Sequence, residues 1–201
     1  VGIHVAIPVL TIGQIFGNAS RVWFGRKELR WKPILLFLLT ALPFTVFGSV
    51  VFAYFDGKVI QTAVGVILLA VVINKRTGLI PHFIGLKGMP IGGMLTGFIS
   101  GVAGSAGPLG AAFFLGLNLP AVAYIASEAV TALCMHLVKV FTYHKYEYIG
   151  TLEIRFGLLI GLAMILGSWV GNKTISKIPS DIFPIIIEVL LVASGVYMII
   201  K

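Results

Sequence analysis

The chain has 201 residues, of which 58% are hydrophobic and 11% are charged. Because soluble domains carry about 25% charged residues, this composition excludes an ordinary water-soluble fold. Fifteen lysines and arginines against seven aspartates and glutamates give a net charge of +8. The charges form short clusters between long apolar runs, which is typical of a multispanning membrane protein rather than of a nucleic-acid-binding domain. The single cysteine, Cys134, excludes an internal disulfide and a multi-cysteine metal cluster.

The apolar runs predict an all-α polytopic membrane protein. A helix needs about 20 mostly apolar residues to cross a bilayer core, and the alternation typical of β-barrel strands is absent. The run 88–127 is too long for one crossing, and we divide it before Pro120 because proline suits the start of a helix. We predict seven transmembrane helices, at 1–24, 33–55, 59–74, 89–117, 119–143, 152–172 and 182–200.

The basic residues predict the orientation of these helices. With seven crossings, twelve lysines and arginines fall on one side of the membrane and three on the other. The richer side is then cytoplasmic, and it includes the loop from Arg21 to Lys32 together with Lys139, Lys145 and Arg155. This orientation places Val1 outside, and we expect at least one further span upstream of it.

The sequence repeats itself at an offset of 118 to 119 residues. Arg21-Val-Trp-Phe-Gly-Arg-Lys corresponds to Lys139-Val-Phe-Thr-Tyr-His-Lys, and Phe47-Gly-Ser corresponds to Leu166-Gly-Ser. We therefore predict two homologous four-helix halves: an incomplete first half at 1–74, a cytoplasmic linker at 75–88 and a second half at 89–201. Duplicated halves with a site at their interface are the usual plan of secondary transporters.

The direction of span 89–117 decides how the two halves are related. If it crosses the membrane, the halves run parallel, and we expect this arrangement. If it is instead a re-entrant hairpin, the halves are inverted and the distribution of basic residues falls to ten against five.

The glycine-rich span 89–117 carries the most distinctive pattern. Gly93, Gly97 and Gly101 share one helix face, which is typical of close helix packing. In the segment Gly104-Ser105-Ala106-Gly107-Pro108, the proline lacks an N–H group and clashes with the carbonyl of Gly104, so we predict an interrupted helix. Interrupted membrane helices line a cavity or are buried in protein, and a half-helix N-terminus favours an anion. We predict that Gly104, Ser105 and Gly107 hold an anion.

Span 119–143 carries three ionisable residues, and such residues are functional candidates in a membrane. Glu128 is our candidate carrier of a coupled proton. His136 and Lys139 supply positive potential for an anion, although a hydrogen-bonded core histidine and an interface lysine reaching water are open alternatives. Other predicted anion contacts are Ser127 and Thr131 on the same span, and Asn18 and Arg21, the repeat equivalents of His136 and Lys139.

These motifs resemble a known family. The segment from Gly97 to Leu109, followed by Leu119-Pro120 and Ala126-Ser-Glu-Ala129, resembles the second-half signature of the sulfite exporter TauE/SafE family. Pro8, the run Gly17 to Arg21 and the turn Arg30-Trp-Lys32 resemble its first-half pattern. The resemblance implies two similar four-helix halves and movement of sulfite or organosulfonates without ATP.

We therefore expect a multi-pass transporter of small, sulfur-containing anions in the cell (inner) membrane, and not an enzyme. The expected partners are the lipid bilayer and a small anionic solute, with no cofactor, metal or nucleic acid; a homo-oligomer is left open. The alternatives are an intramembrane hydrolase using Ser105 and His136, a cation carrier using Glu128, and a non-catalytic membrane subunit. The sequence has no P-loop and no metal-ligand spacing among its histidines.

Overall fold

The described part of the chain is entirely helical. The computed structural model describes residues 3–52, 66, 69–70, 72–73, 77, 85–104, 106–146, 149–175, 179 and 182–200. Its helices are α1 (Ile3–Gly25), α2 (Trp31–Val51), α3 (Met89–Ala103), α4 (Gly107–Leu115), α5 (Ala121–Lys145), α6 (Thr151–Ile175) and α7 (Ile182–Ile200), and a 3₁₀ turn over Leu86–Gly88 leads into α3. The predicted span 59–74 lies largely outside the described residues, and the positions described there are helical.

Three described helices are long and apolar enough to cross a membrane, judged by length and composition. They are Trp31–Val51, Ala121–Lys145 and Thr151–Thr174, and Ile182–Tyr197 is a shorter apolar helix. The predicted spans 119–143 and 182–200 agree with α5 and α7 within two residues. Pro120 occupies the N-cap of α5, as its missing N–H group and fixed φ angle lead us to expect.

The predicted interruption of span 89–117 is confirmed. Helix α3 ends at Ala103, and Gly104 follows it with a φ of 76°. This left-handed conformation ends helices and favours glycine. A new helix, α4, begins at Gly107 with Pro108 in its first turn.

The two half-helices α3 and α4 fold back on each other. A Cβ atom added at Gly92 would lie 2.5 Å from the Phe113 ring, and one added at Gly110 would lie 3.5 Å from Cγ2 of Thr96. In one straight helix, Gly92 and Phe113 would be about 30 Å apart, at 1.5 Å per residue. The prediction that 89–117 crosses the membrane as one bent helix is therefore wrong, because the turn at Gly104 reverses the chain into a re-entrant hairpin.

The directions of α1, α5 and α6 agree with this hairpin. Arg21 near the end of α1 pairs with Glu128 near the start of α5, while Ile7 near the start of α1 lies against Gly104. The carbonyl of Gly104 in turn accepts a hydrogen bond from Lys139, late in α5. Helices α1 and α5 are therefore antiparallel.

Helix α6 runs parallel to α1, because Gly13 lies against Ile160 and Gly17 against Met164. The seven-crossing topology requires the opposite direction for both α5 and α6. The expected parallel halves, and the side assigned to Lys145 and Arg155, are contradicted by these directions. The observed directions of α5 and α6 are instead those that the re-entrant alternative requires, in which the two halves are inverted. The count of basic residues on each side favoured the wrong arrangement, because this count does not detect a helix that reverses its direction inside the membrane.

Close glycine contacts hold α3 against α2. Cβ atoms added at Gly93 and Gly97 would lie 2.1 Å and 2.3 Å from the carbonyl oxygens of Phe37 and Ala41, and one at Gly101 would lie 2.5 Å from that of Thr45. The predicted packing face of this glycine run is confirmed. The closely approaching backbones fix the depth of the hairpin relative to α2.

A second close contact joins α1 to α6. Cβ atoms added at Gly157 and Gly161 would lie 2.6 Å and 2.7 Å from Ile12 and Phe16, so this Gly-x-x-x-Gly pair lets the two helices pack closely. The pair Gly167 and Gly171 has no heavy atom within 4 Å of either Cβ position. Among the described residues, these two glycines face open space and pack against no other helix.

The hairpin is at the centre of the described core. Phe37 of α2 and Phe114 of α4 are fully buried, and their ring centroids are 5.6 Å apart. On the other side of α4, Tyr124 of α5 packs edge-to-face on Phe183 of α7, with centroids 5.2 Å apart. Gly104 and Ala106, the described residues at the hairpin turn, are also buried, as an interrupted membrane helix requires.

Candidate functional site

A cavity of about 290 Å³ lies beside the start of α4. We call it the inner cavity. One side of its lining is apolar and includes Ala111, Ala132 and Ile187. The other side is polar and comprises Gln14, Asn18, Arg21, Tyr124, Glu128 and His136, next to Gly107. Three helices, α1, α4 and α5, therefore bring polar groups and a helix end to one partly open cavity.

Gly107 contributes the N-terminal end of α4 to the inner cavity. The first N–H groups of a helix have no partner within it, and this end carries a partial positive charge. The amide groups of Leu109 and Gly110 bind the carbonyl of Ala106. Gly107 precedes them and lines the cavity, so the positive end of α4 is directed at whatever solute enters.

Arg21 and Glu128 form an ion pair across the α1–α5 contact. Nη1 of Arg21 lies 3.7 Å from Oε2 of Glu128, and the two side chains are 39% and 10% exposed. Arg21 also donates a hydrogen bond to the side-chain oxygen of Asn18, whose own amide nitrogen donates to the carbonyl of Gln14 at 2.8 Å. A buried carboxylate needs a cationic partner, and Arg21 is that partner here.

His136 lines the inner cavity and has one ring nitrogen without a hydrogen-bond partner among the described residues. The residue is 5% exposed, and its Nδ1 atom has no hydrogen-bond partner among the described residues. Buried polar side-chain atoms usually have a partner. Nδ1 is a buried atom without a hydrogen bond, so the alternative of a hydrogen-bonded core histidine has no support at this atom among the described residues.

Ser127 and Thr131 are buried but do not belong to the described lining of the inner cavity. Oγ of Ser127 accepts a hydrogen bond from the backbone N–H of Arg30 at 3.0 Å. Oγ1 of Thr131 donates to the carbonyl of Glu128 at 2.8 Å. Both hydroxyl groups are hydrogen-bonded to backbone groups. Their predicted contact with an anion therefore has no support in this arrangement.

Lys139 lies at the hairpin turn rather than in the inner cavity. It is fully buried, and its ammonium group donates a hydrogen bond to the carbonyl of Gly104. One turn later on α5, the hydroxyl of Tyr143 donates to the carbonyl of Gly101 at 2.8 Å. A cation at a helix C-terminus is favourable. Lys139 therefore holds the end of α3, and neither its predicted anion contact nor the interface alternative describes its position.

Two further anion contacts were predicted in the glycine-rich segment, at Gly104 and Ser105. Gly104 forms the turn and is not among the described residues that line the inner cavity. Ser105, on which the predicted hydroxyl contact depends, lies outside the described residues. The five site residues that the structure brings together are Asn18, Arg21, Gly107, Glu128 and His136.

A model of the family described as "Sulfite exporter TauE/SafE" matches residues 1–198. This chain belongs to the sulfite exporter TauE/SafE family. The predicted resemblance is confirmed, and family membership implies membrane transport of sulfite or related anions by a permease. Members of the TauE/SafE family are transporters and not enzymes. A search of curated proteins and a search of solved structures each give no match.

Two buried polar residues of this TauE/SafE protein were not predicted from the sequence. The hydroxyl of Tyr124 donates to the carbonyl of Ala111 at 3.0 Å and so ties α5 to α4 at the inner cavity. Thr96 is fully buried where α3 meets α4, and its hydroxyl has no partner among the described residues. Both carried a signal: Tyr124 precedes Glu128 by one helical turn, and Thr96 is a polar residue within the glycine run.

The described residues do not support a metal site in this TauE/SafE protein. They contain no group of three or more histidine, cysteine, aspartate or glutamate side chains that could hold a metal ion. The cation-carrier alternative loses support too, because Glu128 is already paired with Arg21.

Proposed function

We propose that this protein is a secondary transporter in the inner membrane that moves sulfite or organosulfonate anions and binds them in the inner cavity. The observation that carries the proposal is the convergence of the α4 N-terminus, Arg21 and His136 on one cavity of about 290 Å³. One water molecule occupies about 30 Å³ in the liquid. The cavity therefore has room for an oxyanion of a few heavy atoms.

The lining supports binding of an oxyanion by three kinds of group. The first turn of α4 offers the backbone N–H of Gly107 and a positive dipole end, since Pro108 has no N–H and the amides of Leu109 and Gly110 bind the carbonyl of Ala106. Arg21 offers a planar guanidinium that matches two oxygens of one anion. The side chains of Asn18 and His136, which line the same cavity, complete the set. The apolar wall opposite them suits the carbon portion of an organosulfonate.

Glu128 is the proposed carrier of the coupled proton. The carboxylate and an incoming anion compete for Arg21, which lies 3.7 Å from Glu128 in the pair. When Glu128 takes up a proton, the pair weakens and the guanidinium becomes available to the anion. One proton and one anion then occupy the same state of the protein, which couples their movement.

Helices from both predicted halves, 1–74 and 89–201, line the inner cavity and would open it in turn to the two sides of the membrane. Inverted halves around a central site are a common basis for alternating access. The antiparallel contact of α1 and α5 supports an inverted arrangement.

Flux into proteoliposomes tests this function. We expect saturable uptake of radiolabelled sulfite that organosulfonates inhibit and carboxylates do not. Replacing Arg21 with glutamine should lower transport by about tenfold or more, because hydrogen bonds to a charged group contribute about 1.5–3 kcal/mol. Arg155→Gln is the matched control, since it removes the same charge from an exposed position on α6.

Coupling is tested with the same vesicles and an imposed pH gradient. We expect Glu128→Gln to retain exchange of anions while losing acceleration by the proton gradient. Wild-type flux in Arg21→Gln would contradict the anion site, and a normal gradient response in Glu128→Gln would contradict the coupling role.

A further inference from the structure

A second, larger cavity of about 500 Å³ lies between the end of α1, the start of α5 and the end of α6. We call it the outer cavity. Its polar lining includes Arg21, Ser168 and Asn172, and the rest of the lining is glycines of α1 and α6 together with the apolar residues Phe24, Val122, Ile125 and Met164. Neither the family nor the proposed function assigns it a role.

The outer and inner cavities share a partition. Arg21, Ile125 and Met164 line both of them. A guanidinium carries five N–H donors, and Arg21 directs one nitrogen to Asn18 and another toward Glu128. Because Arg21 belongs to both linings, one cation can serve an anion on either side of the partition.

The outer cavity lies at a basic end of the helices. Arg26 and Lys27 follow directly after α1 and are exposed. Lys173 is exposed beside Asn172, with its ammonium 3.6 Å from the centroid of the Trp169 ring. The exposed Glu28 reduces this positive charge without balancing it. A positive rim concentrates anions and raises their rate of arrival.

Two glycines keep the outer cavity open. Gly167 and Gly171 line it, and no heavy atom lies within 4 Å of a Cβ added at either. Gly157 and Gly161 on the same helix are instead packed tightly against α1. The end of α6 therefore borders a space large enough for a solute, whereas its middle is closed.

From these observations we infer that the outer cavity is a second anion site, which takes the same small oxyanions, and that Arg21 passes an anion between the outer and inner cavities. Ser168 and Asn172 provide further polar contacts. This inference rests on the proposed function, because it assumes that the inner cavity binds the transported anion. It adds a waiting position at the basic face and makes Arg21 common to both steps.

Cysteine labelling tests the outer site without relying on transport. In a Cys134→Ser background, Gly171→Cys reports on the outer cavity and Ala132→Cys on the inner one. Each is labelled with 2-sulfonatoethyl methanethiosulfonate, an anion, and with the trimethylammonium analogue, a cation. At Gly171→Cys we expect the anionic reagent to react about tenfold faster, the lower end of electrostatic enhancement. Thr151→Cys at the opposite, exposed end of α6 is the matched control.

Protection by ethanesulfonate separates the two sites. We expect it to slow labelling of both Gly171→Cys and Ala132→Cys, and we expect Arg21→Gln to abolish both effects. Protection of Ala132→Cys alone would overturn the outer site and leave the proposed function intact. No protection at either position would overturn both. Protection of Gly171→Cys that survives Arg21→Gln would overturn the shared role of Arg21.

Filling the outer cavity gives a second test. Gly167→Leu adds a side chain where no atom is in contact, so folding should be preserved. We expect transport to fall by about tenfold, through loss of the electrostatically enhanced access. Ala163→Leu adds similar bulk at an exposed position outside both cavity linings and should transport normally. Normal transport by Gly167→Leu would count against the outer site.

Discussion

The two helix ends that meet at the hairpin turn differ in whether other protein groups bind them. The C-terminal end of α3 is held by the protein, since Lys139 binds the carbonyl of Gly104 and Tyr143 binds that of Gly101. The N-terminal end of α4, at Gly107, faces the inner cavity. A break in one helix thus produces a negative end that is neutralised internally and a positive end that is left for a solute. The first serves stability and the second serves binding.

The largest effect on stability should come from removing the cation at the α3 end. Lys139→Met takes away a fully buried ammonium group and leaves the Gly104 carbonyl without this donor. We expect a loss of about 1.5–3 kcal/mol in the free energy of unfolding, the range for a hydrogen bond to a charged group. Thermal unfolding in detergent measures the change. Lys145→Met, at the end of the same helix, is the control and should unfold like the wild type.

A smaller loss should follow from Gly104→Ala, which changes the turn itself. A left-handed conformation costs a residue with a Cβ about 1–2 kcal/mol, and the added atom would also lie 2.4 Å from Cγ2 of Ile7. Combining the change with Ile7→Ala should recover only the steric part. Equal unfolding temperatures for Gly104→Ala and the wild type would show that the positive φ angle does not govern this turn.

Removing the second donor should have a still smaller effect. Tyr143→Phe deletes only the hydroxyl that binds the Gly101 carbonyl at 2.8 Å and keeps the ring. We expect a loss of about 1 kcal/mol, the usual contribution of a neutral hydrogen bond, with transport largely retained. Chemical unfolding of Tyr143→Phe and Lys139→Met under the same conditions compares their losses of unfolding free energy. A greater loss in Tyr143→Phe would show that Tyr143, and not Lys139, contributes most to holding the end of α3.

At the open end, substitution should change binding and leave stability nearly unaltered. His136→Gln removes a buried ring whose Nδ1 has no described partner, so we expect unfolding to shift by no more than about 1 kcal/mol. Anion affinity should fall by about tenfold, equivalent to one lost hydrogen bond of about 1.4 kcal/mol. Isothermal titration with an organosulfonate measures this affinity. A strongly destabilised His136→Gln protein with normal affinity would make His136 a structural residue.

The sequence was sufficient to predict the helices and the break between α3 and α4. Long apolar runs locate α5 and α7, and Pro108 after a glycine cluster marks an interruption. The fold-back was not predicted because it depends on the left-handed turn at Gly104. Neither hydropathy nor charge counting reports that angle. Once the chain reverses, every later helix changes direction, which is why the predicted orientation failed as well.

The site was predictable within each helix and much less so between helices. Asn18 and Arg21 are three residues apart and His136 and Glu128 eight apart, so each pair shares a face. That Arg21 would meet Glu128 could not be derived, since helical spacing does not give the neighbours of a helix. Lys139 was misplaced for the same reason: its partner is a backbone carbonyl on another helix.

The glycine contact between α1 and α6 limits how the transporter can move. Gly13 and Gly17 on one helix and Gly157 and Gly161 on the other leave no space for these two helices to slide past each other. They should shift as one rigid body. Of the three residues that line both cavities, Arg21 and Met164 belong to this α1–α6 body, whereas Ile125 belongs to α5. A rocking of the α1–α6 pair against α5 is therefore the motion that would join or separate the two chambers.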